Sequence, residues 1–138
     1  MFKYLLILIV GLISGCLSTY NKPDDNIVSK FSAERGDLLL VVDVSSVKYT
    51  DYTNTSCPDS DCIVMRTWFL YEAEVLDVLF GEYSAPKISF AKMQHSYYVG
   101  DVTKQWYVLL REFKSKDTAE TLERKHFVIH HEFSNVQE

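Results

Sequence analysis

A chain of 138 residues with 14 Lys and Arg against 19 Asp and Glu carries a formal charge of −5 at neutral pH. Such a chain is a poor nucleic-acid binder, because phosphate neutralisation by Lys and Arg supplies most nonspecific affinity. Its length suits one hydrophobic core and not two. Nine Tyr, eight Phe and two Trp against five Gly and three Pro argue against disorder and favour strands.

The N-terminus reads as an export signal. Lys3 precedes an apolar run from Tyr4 to Ile13 of about ten residues, too short for a permanent membrane span, which needs about 20. Directly after it, Ile13-Ser14-Gly15-Cys16 resembles the lipobox cut by bacterial lipoprotein signal peptidase. Ile13 replaces the commoner Leu, and two small residues precede the cysteine. That resemblance implies cleavage after Gly15, a diacylglyceryl thioether on Cys16 and acylation of its freed amine. The alternative is an ordinary signal peptide that happens to hold a cysteine. Two or three acyl chains on one residue anchor lastingly, whereas one, at roughly 0.8 kcal/mol per buried CH₂, is marginal. Leu17, rather than an aspartate, follows the cysteine; by resemblance to Gram-negative sorting this implies the periplasmic face of the outer membrane. The first fifteen residues hold one base, Lys3, and no acid, so cleavage would leave a mature chain of net charge −6.

Residues 16 to 30 are expected to be a polar tether, since Ser18, Thr19, Asn21, Pro23, Asp24, Asp25 and Asn26 show no sustained period. Residues 31 to 138 would form the folded domain. A short helix is expected from Val28 to Gly36. Asp37 to Tyr49 is continuously apolar at first and alternating later, as in a strand buried on both faces at one end. A long loop, Thr50 to Asp61, follows.

That loop contains Cys57 and Cys62 in Ser56-Cys57-Pro58-Asp59-Ser60-Asp61-Cys62. With Cys16 acylated, these two would pair as a disulfide in an oxidising compartment, fixing the shape of the loop. Half a zinc site is the rival reading, but no second CxxC or helical HxxxH supplies the other ligands. Asp59 and Asp61, near Asp51, lack the glycine and closing glutamate of an EF-hand.

Val64 to Phe80 places Met65, Phe69, Tyr71, Ala73 and Val75 on one face and Leu76, Val78 and Phe80 in the opposite phase. A change of phase near Val75 and Leu76 predicts a bulge in one long, bent strand. Gly81 to Pro86 is a turn, and Lys87 to Met93 is a strand pairing with the one before it. Gln94 to Asp101 falls between strands and sets Tyr97 beside Tyr98, near His95. Adjacent tyrosines there favour an interface, although they would equally cover the end of a barrel. Trp106 to Arg111 and His126 to Phe133 are the last two strands. Asp117 to Arg124 between them predicts about two helical turns, capped by Asp117 with Glu120 reaching back. Trp68 and Trp106 read as core or barrel-edge aromatics.

Five strands with long first and fourth connections and one phase-shifted strand suit an all-β, OB-like barrel with one or two short helices. The stretches Leu39 to Val47, Tyr71 to Glu82, Ile88-Ser89-Phe90, and Gly100 with Trp106 to Leu110 resemble the OB-fold core of tissue inhibitors of metalloproteinases and netrin-type modules, over roughly Asp37 to Leu110. In those inhibitors an unblocked N-terminal cysteine, followed one residue later by a second, places its amine on the protease zinc. Here Cys16 would be acylated and residue 18 is Ser, so that inhibition does not carry over. What the resemblance implies is a rigid barrel presenting loops to a protein partner.

Enzyme signatures are weak. His126 and His130, on a strand, would lie about 13 Å apart at about 3.3 Å per residue, too far for one zinc. His131 and Glu132 complete that cluster without changing the spacing. No GxSxG, HExxH or phosphate-binding glycine loop occurs. The expectation is a lipid-anchored, noncatalytic module that binds or inhibits an envelope or secreted protein, with no cofactor. Its contact residues would be Tyr97, Tyr98, His95, Asp59 and Asp61. An assembly-associated outer-membrane lipoprotein is the alternative, and a metal-binding protein or hydrolase the less favoured third.

Overall fold

The computed structural model describes residues 20–54, 63, 65–96 and 105–134. Within them lie five strands: β1 Leu38–Tyr49, β2 Thr67–Phe80, β3 Lys87–Gln94, β4 Gln105–Glu112 and β5 His126–Phe133. They close into a barrel in the order β1-β2-β3-β5-β4. Every pairing is antiparallel except the short β3–β5 seam, Phe90 with His126 and Ala91 with Phe127. The fold is therefore the small all-β, OB-like barrel expected from the alternation. Two short helices, α1 Asp25–Val28 and α2 Lys116–Leu122, lie outside the sheet.

Alternate residues of each strand fill the interior. Leu40, Val42, Tyr71, Phe90, Trp106, Val108 and Leu110 are fully buried. Tyr71 stacks on Phe90 with ring centroids 5.3 Å apart, and its hydroxyl accepts from Gln94 Nε2 at 2.6 Å, so the one polar atom of that ring is satisfied. The expected phase change in β2 is present: Phe69, Tyr71, Ala73 and Val75 face inward, and the next inward residue is Val78. Leu76 is the extra residue between the Val42–Val75 and Val41–Asp77 pairs, and Leu79 is a second between Leu40–Val78 and Leu39–Phe80. Two bulges thus bend β2. Met65 precedes β2 and is exposed, and Phe80 is 42% exposed, so neither continues the apolar stripe assigned to it from the alternation.

The N-terminal segment departs most from expectation. Residues 20–31 are packed on the barrel rather than forming a tether. Tyr20 Oη donates to Asp77 Oδ2 at 2.7 Å, and burial, then that carboxylate, pushes the phenol pKa upward. The Asp24 backbone N–H donates to Tyr107 Oη at 2.9 Å. Ile27 is 3% exposed and packs with Val41 and Tyr107, flanked by Tyr20, Val28, Phe31, Leu76 and Leu79. Lys30 pairs with Glu132 at 3.1 Å. The helix here is Asp25–Val28, capped by the Asp24 carboxylate on Asn26 N–H, earlier and shorter than the expected Val28 to Gly36. Gly36, at φ 95°, sits in the turn before β1. For α2 the cap is Ser115, whose hydroxyl accepts from Thr118 N–H, and Glu123 at φ 51° ends the helix. Asp117 is in its first turn rather than at the cap.

Where the N-terminal segment enters β1, Asp37 is 2% exposed and held by Arg111 Nε at 2.7 Å and Nη2 at 2.9 Å, with Glu34 N–H a third donor at 2.9 Å. Gly81, at φ 85°, lies against it: a Cβ there would sit 2.6 Å from the Asp37 carbonyl oxygen. The Arg111 hydrogen bonds keep the Asp37 carboxyl below the usual carboxylate range. Its contribution is then present above the unfolded-state pKa and lost as pH falls through the lower folded one. Asp37→Asn should cost about 2 kcal/mol at pH 7 and flatten the acid limb of the stability curve, as read by urea denaturation from pH 7 to pH 3.

Candidate functional site: the loop-bearing rim of the barrel

The barrel interior is occupied by its own side chains, as in small barrels that hold no ligand. At the end where β3 finishes and β4 begins, Lys92 Nζ sits 5.1 Å over the Trp106 ring. His131 stacks on the same indole at 4.8 Å, and Lys92 Nζ lies 3.4 Å from His131 Nε2. These groups close that end of the core.

The β5 histidines are not brought together. A register shift between Val128 and His130 turns His131 inward onto Trp106, while His130 packs edge-on against Phe31 and lies 3.4 Å from Glu132. His126 is 8% exposed and 4.0 Å from Glu112. Burial, then the Lys125 charge, lowers its pKa and favours the neutral ring. Among the described residues no group of three or more His, Cys, Asp or Glu is placed to hold a metal ion.

OB barrels commonly bind ligands on the outer face of β2 and β3. Here α2 covers that face: Leu122 packs on Trp68 and Ala91, with Tyr52, Leu70, Met93, Phe113 and Phe127 around them. Trp68 Nε1 donates to Asn54 Oδ1, and Asn54 Nδ2 donates to Thr118 Oγ1 at 3.2 Å, clamping the start of the β1–β2 connection to the helix. A space of about 390 Å³ remains beside Trp68, Phe113, Thr118 and Phe127. At the opposite barrel end a cleft of about 1000 Å³ is lined by Arg35, Lys87, Arg124 and Lys125 and by Asp37, Glu82, Glu112 and Glu123. Its four cations match its four carboxylates, with Lys125 paired to Glu112 at 2.8 Å and Arg124 to Glu72. The Asp37 carboxylate in its lining is held from behind by Arg111.

Of the site residues expected from sequence, Cys16, Cys57, Cys62, Asp59, Asp61, Tyr97 and Tyr98 lie outside the described residues. His95 is exposed, with Nδ1 2.8 Å from the Met65 carbonyl oxygen. That contact ties the β3–β4 connection to the β1–β2 connection, the two segments expected to act together. On the same rim three apolar residues face solvent: Tyr49 is 60%, Ile63 78% and Met65 60% exposed. Sequence reading missed all three as surface groups. Arg66 and Thr67, which interrupt the apolar run before Trp68, were the available sign that Met65 precedes the strand.

No protein-family model, curated protein or solved structure matches this chain.

If the β2–β3 face is structural, Leu122→Ala should destabilise the protein by about 3 kcal/mol and shift Trp68 fluorescence toward the red. A stability change within 0.5 kcal/mol, roughly the scale of an ordinary surface substitution, would mean that α2 is not packed there.

Proposed function

We propose that this chain is a bacterial lipoprotein, anchored through Cys16, whose barrel is a noncatalytic module that binds or inhibits a protein partner at the cell envelope. The observation that carries the partner reading is the exposure of Tyr49, Ile63 and Met65 around the β1–β2 connection. Solvent-facing apolar groups at the loop-bearing end of a rigid scaffold are a common basis for protein recognition. The filled interior and the helix-covered β2–β3 face make those two surfaces poorer candidates. The lipid anchor rests on the Ile13-Ser14-Gly15-Cys16 motif, and a Cys57–Cys62 disulfide would stiffen the same connection. An outer-membrane assembly role uses the same rim with a different partner.

Cys16→Ser should abolish acylation and leave an uncut or mislocalised precursor, read by metabolic lipid labelling and membrane fractionation. A mature, lipid-labelled, membrane-bound mutant would end the anchoring claim. Tyr49→Ala with Met65→Ala should weaken retention of the envelope partner by on the order of 30-fold, as loss of about 2 kcal/mol of anchor contact does, with the melting temperature nearly unchanged. Tyr97→Ala with Tyr98→Ala should act alike. Undiminished retention in both folded double mutants would remove the rim from the partner site.

A further inference from the structure

Resting on the anchoring reading above, we infer that the docked segment from Tyr20 to Phe31 is a strap that holds the barrel against the membrane and confines its rim to partners lying close to the bilayer. Tyr20 is four residues from Cys16. Four residue steps span at most about 14 Å in any conformation. From Tyr20 onward the chain is committed to the barrel: Tyr20 to Asp77 on β2, Asp24 to Tyr107 on β4, and Lys30 and Phe31 to Glu132 and His130 on β5. Ile27, buried over Val41 and Tyr107, seats the middle. The strap therefore contacts β2, β4, β1 and β5, and Ile27 is its one buried apolar side chain.

The consequence is a limit on reach. A free chain from Cys16 to the start of β1 at Leu38 would extend up to about 75 Å, whereas the docked strap leaves about 14 Å before the first barrel contact. Asp77, where the chain first meets the barrel, is ten residues from Thr67 at the rim end of β2, about 33 Å along the strand at most. Allowing for the Tyr20 and Asp77 side chains, Thr67 at the rim end of β2, with Tyr49 paired beside it at Phe69, cannot rise more than about 60 Å above the bilayer. The rim can lie at the bilayer surface if the barrel tilts. Such a surface fits a partner embedded in or bound to the membrane.

Neutron reflectometry tests this on the lipidated mature protein, bound to a supported phosphatidylethanolamine and phosphatidylglycerol bilayer, with the acyl group verified by mass. The wild type should give a dense layer ending within about 60 Å of the headgroups. A variant with fifteen Gly and Ser residues inserted between Ser18 and Thr19, the strap intact, should shift the same layer outward by on the order of 20 Å. Ile27→Asp should release the strap and spread the layer. A wild-type layer reaching well beyond about 60 Å, or already as diffuse as that of a folded Ile27→Asp protein, overturns the inference while leaving the anchor in place. An unacylated mature chain instead defeats the anchoring reading, and this inference with it.

Discussion

Between Val75 and Val78 strand β2 carries an extra residue, Leu76, and a second, Leu79, follows directly. Without them β2 would keep one face inward along its whole length and could not present Ala73 and Val75 to the interior and then Val78 as well. With them the strand bends, pairs along β1 on one side and β3 on the other, and lets five short strands close. The two displaced leucines face outward and need cover. The N-terminal strap supplies it, with Ile27 and Tyr20 packed around Leu76, Leu79 and Val41. These two bulges in one strand therefore underlie both the closure of the barrel and the docking of the residues that precede it.

The same logic sorts the surfaces. The strap lies over the β1 and β4 side, where Leu38 to Val42 are buried on both faces, and α2 lies over the β2 and β3 side through Leu122. Neither covers the rim, where β1 ends and β2 and β4 begin. Its interior is closed by Trp106, His131 and Lys92, while Tyr49, Ile63 and Met65 stay outside. In the proposed reading the covered sides serve stability and the rim serves recognition.

Alternation made the strands legible: β1, β3, β4 and β5 fall within one residue of the sequence reading at each end, because a half-buried strand enforces its period at every residue. The β2 bulge was legible too, since a phase change has few other causes. The strap was not. Polar residues from Asn21 to Asn26 mask Tyr20, Ile27 and Phe31, whose burial depends on outward leucines that only the bulges create. The α2 cap is Ser115 because its hydroxyl accepts from Thr118 N–H and its carbonyl from Ala119 N–H, so the helix has begun before Asp117. Of the candidate site, the two connections were legible as polar insertions, but the exposure of Tyr49 and Met65 was not. Alternation assigns a face, and whether that face extends past the end of the core is settled by where pairing stops.

A partner-binding role for the rim requires that this surface, and not another, meet the second protein. A photo-crosslinking residue placed singly at Met65 on the rim, at Glu74 on β2 and at Glu123 beside the opposite cleft, in the lipidated protein in its own envelope, reads this directly. A rim interface yields one discrete protein adduct from Met65 and none from Glu74 or Glu123. The same adduct from Glu123 or Glu74, with Met65 silent, would contradict it.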